Sequence, residues 1–236
     1  MIKILLDPGH GGRDPGAVYQ GLKEKDLTLA IAMKLKRLLE KDFQNLQVKL
    51  TREKDETLSL LERTKLANRW HADLLVSIHI NAGKGKGFES FIYHGQYPHK
   101  TNTMRLRNMI HTSIIDTTGF RDRGKKEANF HILRESSMAA ILTENGFIDH
   151  EQDARLLSQD TFLDRIARGH VEGLAKALDL GRITVDPNNR QYYMIRHGDT
   201  LWQIAKQQKT SVQYLIHLNP DIDIRRLQIG QLIRLK

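Results

Sequence analysis

The chain opens Met1-Ile2-Lys3-Ile4-Leu5-Leu6-Asp7-Pro8-Gly9-His10-Gly11-Gly12, a short apolar run that breaks at Asp-Pro and delivers a histidine among three glycines. Lys3–Leu6 reads as a first strand and the glycine-rich stretch as the turn that follows it. Outward from this stretch, the first 180 residues alternate β-rich apolar runs with helical patterns, which argues for an α/β architecture. Further strands are expected over Val48–Leu50, Leu74–His79, Phe88–Tyr93 and Ala139–Thr143. Leu27, Ile31, Leu35 and Leu38 recur at the spacing of one helix face. Helical patterns return over Leu58–Trp70, about 102–116, and Phe162–Leu178, where Leu163, Ile166, His170, Leu174 and Leu178 share a face.

At 236 residues, 39% hydrophobic and 28% charged, the chain has an ordinary globular composition, with room for one sizeable core and a small second one. The absence of cysteine excludes a disulfide framework and a thiolate metal site, so any metal must be held by His, Asp or Glu. No stretch approaches the roughly 18 apolar residues of a membrane span, and no signal-peptide core precedes Asp7. The expectation is a protein made in the cytoplasm, not inserted in a membrane, that reaches any outside target only after the membrane is permeabilised. The net charge is +9, and residues 190–236 hold 8 Lys and Arg against 3 Asp and Glu. Such an excess attracts polyanions, whether nucleic acid, anionic lipid or acidic wall polymers, and charge alone does not choose among them.

Around Thr184–Asn189 the periodicity stops and turn formers cluster, giving an expected division into a domain over 1–182, a linker over 183–190 and a second domain over 191–236. In the second domain Tyr192–Ile195 reads as a strand, Gly198-Asp199-Thr200 as a turn and cap, and Leu201–Gln207 as a helix. Ser211 caps a further helix ending at Asn219-Pro220, and Gln231–Leu235 closes the unit as a strand. Trp202 either stacks on a sugar or covers the small core.

Four groups from distant positions invite a single reading. His10 follows one strand, His79 closes another, Glu144 follows a third, and Glu24 begins the first helix. If the strands are parallel neighbours, the first three emerge at the carboxyl edge of one sheet, where open α/β sheets bind ligands. Two imidazoles and a carboxylate are a catalytic zinc set with one position left for water, and a second carboxylate supplies a general base. Glycines beside His10 let backbone approach the ion without Cβ clashes. Patterning alone leaves open the plainer alternative that these histidines satisfy a polar core or surface. The runs Lys84–Gly87 and Arg121–Lys126 read as solvated turns, the second bordering the cleft and able to take substrate acids.

The stretches DPGHGGRDPGA, KEKDLTLAIAMKLKRLL, LTREKD, LLERTKLAN, SIHINA and NFHILRESSMAAILTENGFIDHEQDARLL resemble, in order and spacing, the zinc-dependent N-acetylmuramoyl-L-alanine amidases called amidase type 3. The resemblance implies a twisted, mostly parallel or mixed sheet flanked by helices. It further implies one zinc ion bound by His10, Glu24 and His79, Glu144 as catalytic carboxylate, and Asn81 as a cleft residue. Departures at His131 and at Asp149-His150 bear on substrate detail.

The tail YYMIRHGDTLWQIAKQQKTSVQYLIHLNPDIDIRRLQIGQLIRL resembles a single LysM domain, a βααβ unit that binds N-acetylglucosamine-containing glycans. That resemblance implies a sugar groove at Gly198, Asp199, Thr200, Leu201, Asn219, Pro220, Asp221 and Ile222. Together the two imply a monomeric peptidoglycan hydrolase, cutting between muramic acid and L-alanine and gripping glycan strand and stem peptide, in the manner of an endolysin or autolysin. The alternative is a catalytically inactive wall-binding or regulatory protein. A nucleic-acid partner is not expected, because no recognition motif accompanies the charge.

Overall fold

A computed structural model of the chain describes residues 1–183, 192–220, 222–223 and 227–236. Apart from Ile183, the expected linker lies outside the described residues, as does Asp221. The chain divides into two compact units, Met1–Arg182 and Ile183–Lys236.

The first unit runs β1 (Ile2–Pro8), a hairpin of β2 (Val18–Tyr19) and β3 (Leu22–Lys23), α1 (Glu24–Asp42), β4 (Leu46–Leu50), α2 (Leu60–Trp70), β5 (Leu74–Asn81) and β6 (Phe88–Tyr93). It continues through α3 (Lys100–Thr118), β7 (Asp122–Ala128), α4 (His131–Arg134), β8 (Ala139–Phe147), α5 (Glu151–Leu157) and α6 (Asp160–Leu178). Six strands form one sheet in the order β4-β1-β5-β8-β6-β7. The first four are parallel, β6 runs antiparallel to β8, and β7 is parallel to β6. The sheet is therefore mixed and mostly parallel with helical layers, as the sequence led us to expect.

Side chains alternate across a strand, and here the alternation sorts two unequal cores. Ile4, Leu6, Val76, Ile78 and Ile141 pack with Ile31 and Leu35 of α1, Ile110 of α3 and Ile166 of α6. Leu5, Leu75, Ala140 and Leu142 face the other way, onto Ala67 of α2 and Ile132 and Leu133 of α4. Each fully buried Leu or Ile contributes about 1.5–3 kcal/mol relative to exposure, so the larger layer dominates the stability of the unit. The same alternation puts His79, Glu89 and Glu144 on the thinner side, with Leu75, Phe91 and Leu142.

Two expectations change, and that for Glu24 holds. β5 and β8 run beyond their expected ends, so His79 and Glu144 lie inside strands. Arg121–Lys126 is not a solvated turn; most of it is the edge strand β7. Glu24 is the first residue of α1, where the helix dipole favours its charge.

The second unit comprises β9 (Tyr192–Met194), α7 (Leu201–Gln207), α8 (Val212–Leu218) and β10 (Leu232–Arg234), with β9 and β10 antiparallel. Thr200 caps α7 in a reciprocal box with Gln203, and Ser211 caps α8. Ile195, Leu201, Ile204, Leu215 and Ile233 form its core. Trp202 does not cover that core: it is 63% exposed. Among the described residues, no helix is long and apolar enough to cross a membrane.

Candidate active site

β1, β5 and β8 are adjacent and parallel, so His10 after β1 comes beside His79 on β5, and His79 stands in register with Glu144 on β8. The His10 and His79 rings meet edge to face, with centroids 5.0 Å apart. Glu24 enters from α1 and bridges them: Oε2 lies 3.1 Å from His10 Nε2, and Oε1 lies 3.0 Å from His79 Nδ1. Oε1 also accepts from the backbone N–H of Ile80, and Oε2 from that of Ala17, which fixes the carboxylate plane.

One ligand atom from each of the three residues lies within 4.8 Å of the others. A tetrahedral ion with bonds of about 2.0–2.1 Å separates its donors by about 3.3 Å, close to the spacings to Glu24 seen here. His10 Nδ1 donates to Asp14 Oδ2 at 2.7 Å, an outer carboxylate that turns Nε2 inward. The donor set thus fits a zinc-type ion. The packing leaves little slack: a Cβ on Gly9 would sit 2.3 Å from His79 Cε1, and one on Gly16 would sit 2.6 Å from Glu24 Oε2.

The electrostatics follow from this crowding. Burial lowers the His10 pKa, but the hydrogen bond and charge of Glu24, then those of Asp14, raise it to about 9 overall. Burial also opposes the charged form of His79, which Glu24 and Glu144 nevertheless hold above its ordinary value. Glu24 is driven well below the carboxylate range because its two histidines outweigh its burial. Glu144 moves the other way. Burial, with Glu24 and Glu89 nearby, raises it to about 7 against the pull of His79, and its Oε2 is buried without a hydrogen-bond partner. A carboxyl group beside a cation cradle, with one oxygen free, is equipped to exchange a proton with a reacting water.

Behind the cluster lies machinery that motif spacing did not expose. Arg63, buried in α2, donates to Asp7 Oδ1 and to the carbonyls of Pro8 and His10. Arg52 donates to the carbonyls of Pro8, Gly9 and Lys25, tying the His10 turn to the start of α1. His10 needs such restraint, since its φ of 61° is left-handed, a conformation costing a non-glycine residue of order 1–3 kcal/mol. Asn81 donates to Glu89 Oε2 at 3.2 Å, placing it at the margin of the cluster. A cavity of about 480 Å³, lined by Tyr19, Leu22, Glu151 and Arg155 among others, includes none of the four clustered residues in its wall.

In the second unit the expected groove residues have mixed placements. Gly198 and Pro220 are exposed, while Leu201 is packed in the core and offers only backbone. Asp199 accepts from the Tyr193 hydroxyl and the Arg196 N–H, and Thr200 is occupied as a helix cap. The Asn219 amide clasps the backbone N–H and carbonyl of Arg234, and Ile222 packs partly against the core. Several polar groups expected at the groove therefore also hold the fold together.

Residues 4–176 match the family model described as N-acetylmuramoyl-L-alanine amidase, and residues 193–236 match the LysM domain. The chain is 50% identical over 182 residues to the N-acetylmuramoyl-L-alanine amidase CwlM of Bacillus licheniformis, covering 77% of this chain and 71% of that one. It is 44% identical over 185 residues to the endolysin of Bacillus phage SPP1, covering 76% and 68% respectively. The crystal structure of an N-acetylmuramoyl-L-alanine amidase from Clostridium difficile 630 superimposes with a TM-score of 0.72 at 37% identity, covering 75% of this chain and 97% of that one.

Proposed function

The chain belongs to the N-acetylmuramoyl-L-alanine amidase family, and on that premise we propose that it is a zinc-dependent peptidoglycan hydrolase cutting the amide between the muramic acid lactyl group and L-alanine. The observation that carries this reading is the convergence of His10, Glu24 and His79 within 4.8 Å, with Glu144 in register beside His79. Zinc held by those three residues would supply a Lewis acid and an acidified solvent molecule. Glu144 takes a proton from the attacking water and returns it to the departing L-alanine nitrogen. Asp14 holds the His10 ring in its metal-facing tautomer. Arg52 and Arg63 keep the His10 turn from relaxing.

The 191–236 domain grips N-acetylglucosamine-containing glycan through Gly198–Thr200 and through Asn219, Pro220 and Ile222, concentrating the enzyme on an insoluble substrate. Its basic charge also suits anionic wall polymers. Similarity to an endolysin supports wall lysis after membrane permeabilisation as the setting. Digestion of purified sacculi tests the reading: new L-alanine amino termini and free lactyl ends are expected, abolished by chelator and by Glu144→Ala. Release of reducing sugar ends instead would mean a glycosidase.

A further inference from the structure

Cross-strand register extends the active site further along the sheet. His79 on β5 is opposite Glu144 on β8, and Glu144 is opposite Glu89 on β6. Opposed residues point to the same face of a sheet, so these three side chains form a transverse row. From β7, Arg123 Nε and Lys126 Nζ each reach Glu89 Oε1 at 2.6 Å. The row thus runs from metal ligand to general base to a buried acid that carries two cations.

Glu89 is too deep to meet a substrate, with a side chain only 4% exposed, whereas Arg123 and Lys126 are 32% and 40% exposed. Two positive charges share one negative charge, leaving a surplus of one. Of the other acids nearby, Glu127 pairs with Lys100, Asp122 accepts hydrogen bonds from His111 Nε2 and the Gly124 N–H, and Glu144 lies across from Glu89 on β8. Arg123 lies over the Phe147 ring at 4.8 Å, and Lys126 over the Phe91 ring at 5.7 Å. Arg123 uses only Nε on Glu89; its terminal Nη groups have no hydrogen-bond partner among the described residues. A guanidinium fork fixed in place with its outer donors unused is built to accept a carboxylate.

We propose that Arg123 and Lys126, held by Glu89, form an anion subsite for a carboxylate on the peptide side of the substrate. Strands are about 4.7–4.9 Å apart, so the subsite lies one to two spacings, about 5–10 Å, from Glu144. An extended peptide advances about 3.3–3.6 Å per residue, which brings the residues just after L-alanine over the pair. The glycan side offers no equivalent anion, because its lactyl carboxyl is tied up in the amide being cut. The subsite rests on the amidase reading above and adds a preference to it: an acidic rather than an amidated stem.

The test uses the full chain and two soluble muramoyl peptides that differ only in a carboxylate or a carboxamide on the residue after L-alanine. Wild type is expected to favour the carboxylate by about tenfold in kcat/KM, mainly through KM, with the preference shrinking as salt is raised. Arg123→Gln and Lys126→Gln each leave one cation on Glu89 and should lower the ratio about threefold, the double variant bringing it near one. Cleavage of both peptides by wild type at equal rates, or a ratio unchanged in the double variant, overturns the subsite. Cleavage of neither peptide overturns the amidase reading instead.

Discussion

Arg63 Nη2 donates to the backbone carbonyl of His10 across 2.7 Å, so a side chain 53 residues away holds the peptide group of a proposed metal ligand. Its other nitrogens bind Asp7 Oδ1, the Pro8 carbonyl and the Leu58 carbonyl, and it is 4% exposed. Burial opposes ionisation of Asp7, yet Arg63, Thr51 and Ser77 hold its carboxyl below the usual range. Fold and site therefore share one buried ion pair.

Removing the guanidinium should uncover that dependence. Arg63→Met leaves Asp7 charged and unpaired, a loss of about 3–5 kcal/mol. Urea unfolding measures it. Arg63→Lys keeps a charge but not the fork, so folding should survive better than zinc affinity does. Equal zinc affinity in Arg63→Lys and wild type would separate the clamp from the site.

Gly9→Ala tests the packing on the other side of His79. Gly9 is not at positive φ, so the new methyl acts by collision alone, 2.3 Å from the imidazole. Zinc affinity by equilibrium dialysis should fall about 10–100-fold, the range found when groups that orient a ligand are disturbed. An unchanged affinity would show that the ring has room to move.

Acid stability depends on a histidine remote from the cluster. His170 of α6 is fully buried, its Nδ1 donating to the Ile166 carbonyl and its Nε2 accepting from Thr143. Burial lowers its pKa to about 4 from the ordinary 6.5, outweighing the hydrogen bond to Ile166. The unfolded chain then takes up a proton that the folded one refuses, so stability falls as pH drops from about 6.5 towards 4. The gap corresponds to about 3 kcal/mol. His170→Gln should lose less stability than wild type between pH 7.5 and 4.5; identical losses would assign the acid sensitivity elsewhere.

The legibility of the sequence varied with the physics of each segment. Glycine punctuation and apolar runs located β1, β5 and β8, and the spacing of Leu27, Ile31 and Leu35 located α1, because these elements bury strongly patterned faces. β7 escaped because Asp122–Ala128 is an edge strand made largely of charges, and alternation there separates polar from polar. Glu89 sits within a correctly expected strand; an acid flanked by buried Phe88 and Ser90 was the available signal. Arg52 and Arg63 lay inside the quoted LTREKD and LLERTKLAN stretches, but spacing does not reveal that a cation is buried against carbonyls. Trp202 was ambiguous since helix position alone does not tell core from surface.

Truncation after Arg182 should separate catalysis from targeting. The two units have separate hydrophobic cores, so the first should fold alone. Its kcat/KM on a soluble muramoyl peptide should stay within about twofold of the full chain, while binding to sacculi by co-sedimentation falls about tenfold or more. Undiminished sacculus binding would place wall recognition in the first unit.

The central claim is that residues 10, 24 and 79 share one ion with an open coordination position. Anomalous diffraction at the zinc edge from crystals grown with zinc addresses it most directly. The account predicts a single strong peak bonded to His10 Nε2, Glu24 and His79 Nδ1, lost in His79→Ala. A peak bonded elsewhere, or no peak in an active zinc-saturated protein, would contradict it.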